Sequence, residues 1–129
     1  MAAVKKSRPS FGGNPLRDAR TSIRMSQKEL AGELGLARTT IVAAEQADPK
    51  PWLVLACVGL GCLRLSGVRV GQLTGMRLAS LRTQLNLSAA ELGRLFGYAE
   101  STINTWERTT PPIWTHPAMV GLAVSLTGP

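Results

Sequence analysis

The sequence predicts an all-α chain made of two tandem small helical domains, and three observations predict it. The chain matches itself without a gap at a shift of 62 residues, each copy carries the start and stop signals of the same short helices, and no segment alternates polar and apolar residues long enough to make a confident strand. Val68-Arg69-Val70 is the one strand candidate and reads better as linker. Under the shift, Leu16 falls on Leu78, Arg20 on Arg82, Ser26 on Ser88, Gly35 on Gly97 and Thr40-Ile41 on Thr102-Ile103. Glu45 falls on Glu107, Pro49 on Pro111, Trp52 on Trp114, and Val58-Gly59-Leu60 on Val120-Gly121-Leu122. Such a period is too long for the common solenoid units and suits a small helical domain folding around its own core. The expected division is a flexible basic arm over 1–13, a first domain over 14–63, a linker over 64–75 and a second domain over 76–129.

Each helix follows from local chemistry. Asn14-Pro15 is an N-cap followed by proline at the first helical position, and Leu16, Ala19 and Ile23 recur at helical spacing, so the first helix is expected to run to about Arg24. Ser26-Gln-Lys-Glu29 is a capping box that opens a second helix through Leu34, and Gly35 supplies the left-handed residue that ends it. A third helix carries Ile41 inwards and stops near Gln46, before Asp48-Pro49-Lys50-Pro51 breaks the chain. The apolar run Trp52–Leu63 is the fourth. In the second copy Thr74 caps the first helix, Ser88-Ala-Ala-Glu91 is the capping box, Gly97 ends the second helix, Ser101–Arg108 forms the third and Thr110-Pro111-Pro112 is the break. Neither Trp52–Leu63 nor Ala118–Leu126 carries a charge. Each must hide a stripe beyond what its own unit can bury, so these helices are expected to meet, within one chain as a pseudo-dimer or between two chains as a homodimer. Fully extended, the linker spans roughly 35–40 Å.

Composition narrows the function. The chain has 129 residues, with 15 Lys and Arg against 8 Asp and Glu for a net charge of +7. That balance points to a polyanionic partner, with nucleic acid first. The charge is lopsided: residues 1–70 hold 11 basic and 5 acidic side chains, residues 71–129 hold 4 and 3. Met1–Phe11 lacks the apolar stretch of a signal peptide and Trp52–Leu63 is too short to span a bilayer, so no membrane association and a cytoplasmic, nucleoid-associated location are expected. Cys57 and Cys62 read as small hydrophobes, Trp106 and Trp114 as core, and His116 as a residue that helps terminate a turn. With no nucleophile elbow, glycine-rich phosphate loop, paired carboxylates or metal-ligand spacing, no enzymatic activity, cofactor or metal is expected.

The stretches Ser26-Gln-Lys-Glu-Leu-Ala-Gly-Glu-Leu-Gly-Leu-Ala-Arg-Thr-Thr-Ile-Val-Ala-Ala-Glu45 and Ser88-Ala-Ala-Glu-Leu-Gly-Arg-Leu-Phe-Gly-Tyr-Ala-Glu-Ser-Thr-Ile-Asn-Thr-Trp-Glu107 resemble the helix-turn-helix of the phage-repressor (Cro and xenobiotic-response-element) family. The resemblance covers about residues 14–63 and 76–126 and includes buried, turn and surface positions together. Leu30, Leu34 and Ile41, with Leu92, Phe96 and Ile103, supply the small core, and the small Ala31 and Gly93 let the next helix cross closely. The resemblance implies partly buried ion pairs Arg20–Glu45 and Arg82–Glu107, which fix geometry more than they stabilise. It also implies base contacts from Arg38, Thr39, Val42 and Ala43 in the first copy and from Glu100, Ser101, Asn104 and Thr105 in the second. By donor and acceptor pattern Arg38 suits guanine, Asn104 adenine, Glu100 the cytosine amine, and Thr39 or Val42 a thymine methyl. Backbone contacts are implied for Gln27, Lys28, Thr40 and Thr102, and the arm residues Lys5, Lys6 and Arg8 read as a further grip on groove or phosphate. Ala89 and Ala90 stand where the first copy has Gln27 and Lys28, so the second copy should hold DNA more weakly.

The function expected on this resemblance is a double-stranded-DNA operator-binding regulator of bacterial, phage or mobile-element genes. It would repress by occluding RNA polymerase, its own promoter among the targets. The alternative is a protein-interaction module, an antitoxin or inhibitor whose apolar helices and second copy take a toxin or other protein partner, with the fourth-helix surface required and DNA secondary.

Overall fold

The computed structural model describes residues 13–127. Eight α-helices and no strand occur among them: α1 (Pro15–Ser22), α2 (Gln27–Leu34), α3 (Arg38–Glu45), α4 (Pro51–Leu65), α5 (Gly75–Gln84), α6 (Ala89–Phe96), α7 (Glu100–Arg108) and α8 (Thr115–Thr127). The described residues are therefore all-α. Lys5, Lys6 and Arg8 lie outside the described residues.

Capping sets most helix ends. The Asn14 carboxamide oxygen accepts from the Leu16 and Arg17 amides at 2.9 and 3.0 Å, while its NH2 donates to the Ala44 and Ala47 carbonyls, tying the start of α1 to the end of α3. Both capping boxes close: Ser26 with Glu29 at 3.0 and 2.8 Å, Ser88 with Glu91 at 3.1 and 2.7 Å. These bonds, led by the donation from the serine backbone, hold both glutamates below the usual carboxylate range. Gly35 and Gly97 sit at φ +70° and +88°, where the helix must reverse and an L side chain would be strained.

Several boundaries differ from expectation. α1 stops at Ser22, short of Arg24, because Arg24 itself is left-handed at φ 59° and the Met25 amide turns back to the Arg20 carbonyl. Asn86, 62 residues on, does the same at φ 61°. α7 begins at Glu100, one residue early, and α4 extends from Pro51 to Leu65. The connector is therefore residues 66–74, and it is docked, not free to extend. The Gly71 amide donates to His116 Nδ1 at 2.8 Å, Gln72 donates to the Pro111 carbonyl at 2.7 Å, and Leu73 is buried. His116 closes the turn that starts at Ile113, its amide donating to the Ile113 carbonyl at 3.3 Å, and its ring, in the first turn of α8, also anchors the connector.

Leu16, Leu30, Leu34 and Ile41 are fully buried, as are their equivalents Leu78, Leu92, Phe96 and Ile103. The two groups join into one continuous core through α4 and α8. Those two helices cross against each other within the chain. A side-chain carbon on Gly59 would collide with the Pro117 carbonyl, and one on Gly121 with the Leu55 carbonyl, so only glycine permits this approach. At the mouth of the crossing Trp52 and Trp114 stack with ring centroids 4.1 Å apart, and Phe96, Tyr98 and Trp106 pack edge-on or flat around Trp114. The copies part company at their first helices. Ile23, the residue just after α1, packs tightly on Gly61 of α4, whereas Leu81, Leu85, Met119, Val120 and Ala123 line an apolar cavity of about 170 Å³ between α5 and α8.

Candidate nucleic-acid interface

The surface implied by the resemblance is built from α2, the turn at Gly35 and α3. Ala37 precedes α3 in extended conformation, with no side-chain bond capping the helix. Arg38, Thr39, Thr40 and Ala43 are exposed and Val42 is half-buried, while Ile41 points wholly inwards. That division is the one a helix needs to anchor one face and offer the other.

Arg38 is held, not loose. Its guanidinium donates to Gln27 Oε1 at 3.2 Å, and Gln27 in turn donates from Nε2 to Glu45 Oε1 at 3.1 Å. Glu45, whose side chain keeps 2% of its exposure, accepts from Arg20 through Nε at 2.5 Å and Nη2 at 3.0 Å. Arg20 also donates to the Met25 carbonyl at 2.8 Å, so the same guanidinium fixes the turn between α1 and α2. Burial alone would raise the Glu45 pKa, but the bonds from Arg20 and Gln27 and the nearby guanidinium charges outweigh it and hold the carboxyl below its ordinary value. The Arg20 guanidinium is pushed up, chiefly by its bond to Glu45.

Two features of this network were not read from the sequence. Gln27, a residue expected at the phosphate backbone, also bridges Arg38 to Glu45 through its amide. Arg17, absent from the expected site, donates from Nη2 to the Glu45 carbonyl at 3.1 Å, and its Nε lies 3.6 Å from the carboxylate. The available signal was Arg17 standing three residues before Arg20, on one helical face. Lys28, fully on the surface, is not drawn into the network.

The second copy keeps the frame and loses the bridge. Arg82 donates to Glu107 at 2.6 and 3.0 Å and to the Leu87 carbonyl at 2.9 Å, repeating the Arg20 pattern bond for bond. Its guanidinium is likewise pushed up by Glu107. Ala79, Ala89 and Ala90 replace Arg17, Gln27 and Lys28, and Glu100 replaces Arg38. On α7, Glu100, Ser101 and Thr105 are exposed and Thr102 and Asn104 half-buried; Thr105 Oγ1 donates to the Ser101 carbonyl at 3.0 Å.

Chemistry elsewhere is muted. Burial pushes the Cys57 thiol up to about 11, so it stays protonated among apolar neighbours. Among the described residues no cluster of three or more His, Cys, Asp or Glu could hold a metal, and no helix is long and apolar enough to cross a membrane. No protein-family model, curated protein or solved structure matches the chain.

Proposed function

We propose that the chain is a sequence-specific double-stranded-DNA-binding regulator of transcription, with α1–α4 and α5–α8 as two repressor-like helix-turn-helix units. In this reading it acts by occupying an operator and excluding polymerase. The observation that carries the reading is the exposed Arg38 at the start of α3, held by Gln27, which is itself bonded to a buried carboxylate. A guanidinium on the surface ordinarily loses rotamer freedom when it binds; one already fixed by a neighbour loses less and can meet a guanine edge in a set geometry. The arrangement parallels a reading helix whose specificity residue is braced by the helix before it. Net charge of +7, concentrated in residues 1–70, favours a phosphate backbone as partner.

One observation weighs against the protein-module alternative. That reading needs the apolar surface of α4, and α4 and α8 bury their glycine faces against each other.

Selection of binding sites from random duplex DNA at physiological salt tests the proposal. A compact site should emerge, and Arg38→Ala should weaken it by about 1–3 kcal/mol, equivalent to roughly 5–150-fold, with preference relaxed at one base pair and thermal unfolding unchanged. Lys28→Ala should weaken all sequences alike and lower the salt slope by about one. A folded Arg38→Ala chain with unaltered binding would sink the proposal.

A further inference from the structure

The contacts between the two copies come in matched pairs. Gly59 meets Pro117, and Gly121 meets Leu55; Gly121 lies 62 residues after Gly59 and Leu55 lies 62 residues before Pro117, so the two pairs are the same contact with the copies exchanged. Trp52 and Trp114, equivalents of each other, stack face to face. Ile113 Cγ2 lies 2.6 Å from where a side-chain carbon on Gly35 would stand, and Pro51 Cδ lies 3.5 Å from the same point on Gly97. Again the pairs interchange under the shift. Reciprocity of this kind, residue i on j and j on i, is the signature of a twofold axis between identical subunits. Here both halves belong to one chain.

Two consequences bear on binding. Gly35 and Gly97 end α2 and α6, three residues before the two candidate reading helices, so the turn that leads into each of α3 and α7 rests on the opposite copy. The connector adds nothing loose: Gly71, Gln72 and Leu73 are pinned to His116, Pro111 and the core. Distance between the two helices is thus set by a packed interface, not by a tether with a spread of lengths. The helices themselves are unlike at every expected base-reading position: Arg38 against Glu100, Thr39 against Ser101, Val42 against Asn104 and Ala43 against Thr105.

We infer that a single chain is the complete binding unit, and that it takes one asymmetric duplex site whose two unlike half-sites stand at one fixed spacing. This rests on the DNA-binding reading above and adds the stoichiometry, symmetry and spacing of the site. The site then has a direction, and the first copy, with Arg38, Gln27 and Lys28, grips the stronger half.

The test uses the full chain and the duplex recovered from random-sequence selection. Sedimentation of the complex gives chains per duplex, and binding is measured again after inserting one, two and five base pairs between the protected halves. One chain per duplex is expected, on a sequence lacking dyad symmetry. A single inserted base pair should weaken binding at least about tenfold, the order of a lost base-pair contact. Asn104→Ala should alter preference on one side only and Arg38→Ala on the other. Two chains on a palindrome, insertions tolerated without loss, or a footprint on one half that ignores Asn104→Ala would each overturn the inference while leaving DNA binding intact. Failure to recover any bound duplex would remove the proposed function and the inference together.

Discussion

Glu45 shows how much geometry one buried carboxylate can set, since it receives Arg20, Gln27 and Arg17 from two different helices. Removing a partner strands the charge. Arg20→Ala is expected to destabilise the chain by about 3 kcal/mol, the low end of the cost of breaking a buried pair, because Gln27 and Arg17 still compensate part of the Glu45 charge. Chemical denaturation of the two proteins checks it. Because the folded carboxyl titrates below its ordinary value of 4.5, the stability it contributes is present above that pH and is lost as pH falls through the depressed value. His116 adds a second window. Burial holds it below its usual 6.5, and Nδ1 must stay unprotonated to accept from Gly71. Its contribution is complete above pH 6.5 and declines as acid protonates the ring, so wild type should lose more stability than His116→Gln between pH 7 and pH 5. Parallel pH profiles would refute that role. The Arg20–Glu45 pair is implied by the resemblance, but two other bonds are not legible in the sequence: Gln27–Arg38 joins residues 11 apart and Gly71–His116 residues 45 apart, separations over which no local pattern speaks.

Helix ends that depend on the next three or four residues could be read from the sequence, and they are where the reading and the structure agree best. Ser26 with Glu29, Ser88 with Glu91, and Gly35 and Gly97 each declare their function within one turn. Where a helix ends without such chemistry the reading overshot, as at Ser22, since an arginine gives no sign that it will adopt φ 59°. The absolute need for glycine at the α4–α8 crossing was equally silent, because the backbone it meets belongs to a segment nearly sixty residues away. Glycine position therefore decides the sign of one substitution. Gly32, exposed on α2, has nothing within 4 Å of an added carbon, so Gly32→Ala should stabilise by about 0.5–1 kcal/mol through helix propensity. Gly59→Ala gains the same propensity but forces α4 off the Pro117 carbonyl, and should destabilise by about 1–3 kcal/mol. Thermal melts of the pair test both directions at once.

At the scale of the molecule, the apolar character of helices four and eight announced that they must be covered, and left open whether a second chain would do it. The structure covers them internally, through a crossing that needs both copies. A fragment ending at Ser66 should accordingly not behave as a small independent monomer: sedimentation should find it associated, or circular dichroism should find it largely unfolded. A monomeric fragment with a cooperative melt would contradict this. The crossing also imposes an order in time. On the ribosome α4 is complete at Leu65, but α8 does not begin until Thr115, some fifty residues later. At about 5–20 residues per second the apolar helix waits roughly three to ten seconds for its partner. During that interval the half-made chain is adhesive, and neighbouring nascent chains on one message carry the same exposed helix. Pairing of α4 from one with α8 from another would use the native crossing itself, so faster synthesis and denser polysomes should raise the share of exchanged dimers, a cost that a single short domain would not bear.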